Sequence, residues 1–229
     1  STQSGMDLLN PYAWNLASTP YEDSNPKFPE AEKVNDIAYG KNRALLAWYT
    51  VDGIFTRKSS SSRPRHLTND DLSNHYTRGV SYKEIFPNKE LGTNDNTTLP
   101  VLNLAFYPNE RGPYNLDAEN VNSDGTLGNP EKRWGGVMRK IEPSDLESAN
   151  YEYIEFWLLD PYLEDETAEG GDLYFNLGEI SEDILKDERK FFENGMPVDG
   201  DMSKVDTTVW GKVPRTQSTG YALSLIHIS

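Results

Sequence analysis

The chain of 229 residues has no cysteine, which excludes disulfide scaffolds, thiolate zinc sites and cysteine nucleophiles. Absence of cysteine leaves the redox compartment open, because an oxidising one permits disulfides without requiring them. Basic residues are also scarce: 22 Lys and Arg stand against 37 Asp and Glu, a formal charge of −15. A nucleic-acid binder needs clustered Lys and Arg on the phosphates, and a polybasic membrane anchor needs the same, so neither is expected. The three histidines, His66, His75 and His227, are scattered, which disfavours a three-histidine metal site or a histidine-based triad. No stretch approaches the roughly 20 apolar residues that span a bilayer as a helix. No charged-then-apolar leader opens the sequence, and its first residue is Ser1 rather than Met, so a fragment is expected.

The mean hydropathy is low, −0.72, yet aromatics reach 11% with five Trp and thirteen Tyr. Disordered chains are poor in aromatics, so a folded domain with long polar loops is expected. Strand signals dominate its ordered parts. Leu102, Leu104 and Phe106 alternate with Asn103, Ala105 and Tyr107, the period of a half-buried strand. Leu173, Phe175 and Leu177 alternate with Asp172, Tyr174 and Asn176. The runs YEYIEFWLL (151–159) and ALLAWYTV (44–51) are apolar on both faces, as strands covered on both sides are. WGGVMRKI (134–141) is a fifth, glycine-softened strand.

Helix signals are short. Ser81 with Glu84 and Ser144 with Glu147 fit capping boxes. A longer candidate runs over 182–192, with Ile184, Leu185 and Phe192 turned to the body and Gly195 as a stop. Strands separated by long loops predict a mainly β fold, an antiparallel β-sandwich with a loop and short-helix insertion over 26–94. That domain covers 5–195, with an exit segment over 196–222.

The most specific candidate site is NVNSDGTLGNPE (120–131). Asn120, Asn122, Asp124 and Glu131, with glycine at Gly125, have the spacing of a twelve-residue calcium loop. The first ligand is Asn rather than Asp, and Pro130 precedes the closing glutamate. The alternative is a solvated Asn/Asp/Gly turn, and no metal ligand is assigned. The acidic run 163–172 reads as a solvated hairpin loop. Acids are too abundant for any pair to mark glycoside cleavage, so no catalytic residue, cofactor site or cofactor is assigned and the chain is not expected to be an enzyme. Trp14, Trp48, Tyr49, Trp134, Tyr153 and Trp157 are read as core rather than a sugar-stacking platform. Arg43, Arg111, Arg133 and Arg139 are expected to pair with the acidic surface.

Five long motifs follow in a fixed order: YGKNRALLAWYTVDGIF (39–55), LNLAFYPNERGPYNLD (102–117), NPEKRWGGVMRKI (129–141), NYEYIEFWLLDP (150–161) and GDLYFNLGEISEDILKDERKFFENGMP (171–197). Together they resemble the SprA (Sov) family, the large outer-membrane β-barrel translocons of the type IX secretion system, needed for gliding motility in some bacteria. The resemblance runs from about Gly5 to Tyr221. Gly53 stands where the family pattern has proline, and Glu188 where it has glycine. The tail 223–229, with His227, resembles translated sequencing-adapter read-through and is set aside.

The resemblance implies a soluble, non-catalytic structural module of the translocon at the cell outer membrane, on its periplasmic or extracellular face. Its partners are then the rest of the barrel and other secretion-system proteins, with no membrane span in this stretch. The motif order is also similar to jelly-roll domains of the galactose-binding kind, whose frame allows an alternative role as a glycan- or calcium-binding module.

Overall fold

The computed structural model describes residues 8–21, 27–34, 36–57, 61–141, 152–178, 180–186 and 201–215. Among these the fold is β-rich, built from small antiparallel sheets with few helices. The strands are β1 (Asn15–Leu16), β2 (Ala44–Tyr49), β3 (Val80–Ser81), β4 (Thr98–Leu99), β5 (Asn103–Arg111), β6 (Val137–Met138), β7 (Val205–Thr208) and β8 (Gly211–Pro214). The one α-helix among the described residues, α1 (Tyr82–Ile85), is a single turn. Ser81 caps it by accepting from the Lys83 amide. Several 3₁₀ turns, Pro29–Glu32 and Ile37–Gly40 among them, occupy the stretch expected to hold loops and short helices. No helix among the described residues is long and apolar enough to cross a membrane.

Strands pair as β1–β6, β2–β5, β3–β4 and β7–β8. Three of these pairs are antiparallel by register, with Asn15 opposite Met138, Val80 opposite Leu99 and Val205 opposite Pro214. In β2–β5 the Ala44 carbonyl lies beside Gly112 while Asn103 donates to the Tyr49 carbonyl, so these strands also run in opposite directions. A parallel bridge joins Arg43 to Trp134 just before β2. Pro108 sits inside β5. A proline gives up a ladder donor and is tolerated only at a sheet edge, and a two-stranded sheet consists of edges.

The chain divides into two compact units. The first comprises 1–13, 48–104 and 140–174, and the second comprises 14–47, 105–139 and 175–229. Among the described residues, ten of the eleven buried hydrophobic ones belong to the second unit, Leu72 being the exception. That unit packs Ala44, Leu46, Leu127, Trp134, Ile184 and Leu185, with Phe28 edge-on to the Trp134 ring at 5.9 Å. Close backbone approach decides where glycine is required. A β-carbon on Gly112 would overlap the Ala44 carbonyl carbon and oxygen, so Gly112→Ala forces the two backbones apart. Urea denaturation is expected to show a loss of about 1–3 kcal/mol for that variant.

Several expected elements take another form. The strand expected over 134–141 shrinks to β6 plus the Trp134 bridge. Gly135 and Gly136 occupy the gap, and a side chain on Gly135 would run into Leu46 and Phe106. Leu104 and Phe106, expected on the half-buried face of β5, are exposed. Residues 152–159 and 172–177, expected as strands, lie in no strand and are exposed throughout.

Ile184 and Leu185 are buried as expected, but 180–186 form no helix. The Asp183 carboxylate accepts from the Leu185 and Lys186 amides, and Lys186 takes a left-handed φ of 54°. This is an Asx turn, in which the side chain takes the amides a helix would use. Ser144, Glu147, Tyr151, Phe192 and Gly195 lie outside the described residues.

Candidate functional site

The loop 120–131 is built as a turn. An antiparallel bridge between Val121 and Leu127 closes its first part, and buried Leu127 donates its amide to the Asn109 carbonyl at 2.7 Å. Asp124 Oδ1 accepts from the Thr126 hydroxyl at 2.7 Å and from the Thr126 amide at 3.0 Å, and these bonds hold its carboxyl below the ordinary value. Asn122 donates to Thr126 Oγ1. Asn120 donates to Asp117 and accepts from Asn129. Glu131 belongs to the exposed 3₁₀ turn Pro130–Lys132. Gly125 has a φ of 89°, so the glycine at the calcium-loop position serves the turn.

Each of the three loop side chains at 120, 122 and 124 is thus committed to a neighbour within the loop or beside it. Calcium is therefore expected to leave the melting temperature unchanged in calorimetry. A bound ion would instead add about 2.7 kcal/mol at a hundred times its dissociation constant, and Glu131→Gln would remove that gain.

The arginines do not spread over the acidic surface as expected. Arg43 is fully buried. Its guanidinium donates to the carbonyls of Ala17 at 2.9 Å, Ile184 at 3.3 Å and Pro113 at 3.4 Å, and lies 5.0 Å from the Trp134 ring centroid. Burial pulls its pKa down to about 10, which leaves it charged at neutral pH. Asn115, equally buried, donates to the Arg43 carbonyl at 2.6 Å. Arg133 pairs with Asp117 at 3.1 Å with both side chains buried, and donates to the Gly128 carbonyl through Nε and Nη2. Arg111 lies over the Trp210 ring and donates to the Asn115 carbonyl, and Arg139 lies over Trp14. Arg133 has a charge partner, Asp117, and that pair is in the interior rather than on the surface.

The aromatics part company. Trp134 is buried, and Trp48 is half-buried, donating its indole N–H to the Pro11 carbonyl at 3.1 Å. Trp157 is 73% exposed and Tyr153 80%, which core packing did not foresee. Trp210 lies outside the set of aromatics expected in the core. It sits in the β7–β8 hairpin, inside the expected exit segment, and donates to the Gly125 carbonyl at 2.9 Å. The alternation VDTTVWGKVP around a glycine at φ 113° is the signal that marks this hairpin.

The feature with most chemistry to offer is the ribbon over 152–172. Ile154, Phe156 and Leu158 on one parity and Tyr153 and Trp157 on the other are all exposed. Phe86, Glu155, Phe156 and Trp157 line an open pocket. The far end is pinned: His75 Nε2 lies 2.8 Å from the Asp160 carbonyl, and the Tyr76 hydroxyl donates to the Pro161 carbonyl. The acidic run follows as an exposed turn in which Asp165 accepts from the Thr167 hydroxyl and amide. Among the described residues, no group of three or more Asp, Glu or His side chains is arranged to hold a metal ion. No model of a known protein family matches this chain, and no curated protein matches it.

Proposed function

We propose that this chain is a non-catalytic structural module of an outer-membrane translocon of the type IX secretion kind, serving protein secretion and gliding motility. In this reading it folds as a jelly-roll-like β-sandwich and works by attachment to the barrel and to other secretion-system proteins, on the periplasmic or extracellular face. The observation that carries the reading is the exposed apolar ribbon over 152–159. Contiguous exposed apolar residues mark interaction surfaces, and attachment is what a structural module does.

The long motifs support it from the other side. They contain the buried polar residues Arg43, Asn115, Asp117 and Arg133 and the buried Trp134, so the family-like residues coincide with interior residues of the second unit.

The test is an in-frame deletion of the 152–178 coding region in a gliding bacterium that carries this chain within its translocon. Loss of surface cargo and of gliding, with the translocon still in the outer membrane, is expected. Normal secretion would overturn the reading. A second reading, a glycan-binding module, is favoured by exposed Trp157 beside Phe86, since sugars stack on exposed indoles.

A further inference from the structure

We propose that residues 152–160 form a docking edge for an extended polypeptide strand that alternates basic and apolar residues, taken up by strand addition. The inference deepens the attachment reading above by naming the chemistry of what attaches.

Three observations in the first unit carry it. The segment has the period-2 pattern of a strand apolar on both faces, yet lies in no strand. Its residues are exposed, Leu158 to 69%. Such a sequence is suited to pairing, and strand addition supplies affinity through main-chain bonds and specificity through alternate side chains.

Charge then selects the occupant. Between 152 and 172 there are eight carboxylates and no lysine or arginine. A second copy of the ribbon would bring the same eight carboxylates against them, and an anionic lipid surface would be repelled likewise. A strand that sets its basic residues on the parity of Glu155 makes an opposite-charge cross-strand pair there and cation–π contacts with Tyr153 and Trp157, while its apolar residues cover Ile154, Phe156 and Leu158. The pinning of Asp160 and Pro161 by His75 and Tyr76 holds one end of the edge in place, which lowers the ordering cost of pairing.

The probe is an end-capped, fluorescent peptide of alternating lysine and valine, about eight residues long to match the edge, titrated into the whole chain and followed by anisotropy. Saturable binding is expected. It should weaken as salt rises from about 0.01 M to about 0.15 M, where the screening length drops from about 30 Å to about 8 Å. The glutamate–valine peptide should not bind. Ile154→Thr/Trp157→Ser should weaken binding at least about tenfold, since exposed anchors carry most of such an interface; circular dichroism should stay unchanged, because neither side chain is part of the core.

Equal binding of a lysine–valine peptide N-methylated at alternate residues would overturn strand addition, because that peptide cannot complete the ladder. Equal binding of the acidic peptide would overturn the charge argument. If Trp157→Ser abolished binding of cello-oligosaccharides while the basic peptide failed to bind, the surface would belong to a glycan and the inference would fall. The deletion phenotype in cells reads the module's role independently of the peptide. Loss of secretion without peptide binding therefore sinks this inference alone, and binding with normal secretion sinks only the translocon reading.

Discussion

Asp117→Ala is expected to lower the stability of the chain by about 3–5 kcal/mol, measured by urea denaturation at neutral pH. That is the cost of leaving one member of a buried ion pair without its counter-charge. Arg133 and Asp117 are 3.1 Å apart with almost no exposed surface on either side chain. The Asp117 carboxylate also organises the turn that follows it. Its Oδ1 accepts from the amides of Glu119 and Asn120 at 3.1 and 3.2 Å, while Oδ2 accepts from Arg133. Alanine therefore strands a guanidinium and two amides together.

Asp117→Asn should fall between wild type and alanine, because it keeps an acceptor but loses the charge. The double variant Asp117→Ala/Arg133→Met should recover part of the loss, since a buried pair replaced by apolar side chains costs less than a broken pair. Additive single and double effects would show that the two residues do not act as a pair. The same variant should also loosen the neighbouring turn, which Arg133 ties to the Gly128 carbonyl.

What the sequence made legible follows from which interactions are local. ALLAWY at 44–49 is a two-sided apolar run, and the strand forms where it falls, with Ala44 and Leu46 buried. Ser81 announces the single helical turn that begins at Tyr82. The burial of Ile184 and Leu185 was legible as well, but not their conformation, because Asp183 takes the amides that a helix would have used.

At 152–159 the two-sided apolar run describes what the residues favour, while strand formation also needs a neighbouring strand, which local pattern cannot supply. β5 continues through Pro108 and Asn109, which look like a turn, because an edge position removes the usual objection to proline. The arginines were the least legible. An acid-rich composition suggests surface pairing, yet Arg43 and Arg111 meet carbonyls and rings and Arg133 a buried carboxylate, all brought together only by the fold. Arg43 beside the apolar run and Arg133 directly before Trp134 were the local hints that these cations face inward.

Arg43→Met is expected to cost roughly 3–5 kcal/mol, at the upper end of single-residue effects, although it removes no ion pair. Methionine fills much of the volume of the arginine stem and leaves the apolar contacts largely in place. What it loses is the guanidinium that joins the carbonyls of Ala17, Pro113 and Ile184, three chain segments far apart in sequence within the second unit. Each buried acceptor left unmet costs about 1–3 kcal/mol, and the contact with the Trp134 face is lost as well.

Arg43→Lys keeps the charge but places it on one compact ammonium that cannot span the three acceptors or stack on the ring, so it should lie between wild type and methionine. The competing effect is the cost of burying the cation, visible in the lowering of its pKa to about 10. Were that cost larger than the value of the three bonds, methionine would stabilise the chain. Urea midpoints for the two variants decide between the effects: the order wild type, lysine, methionine confirms the carbonyl clamp, and a methionine variant more stable than wild type refutes it.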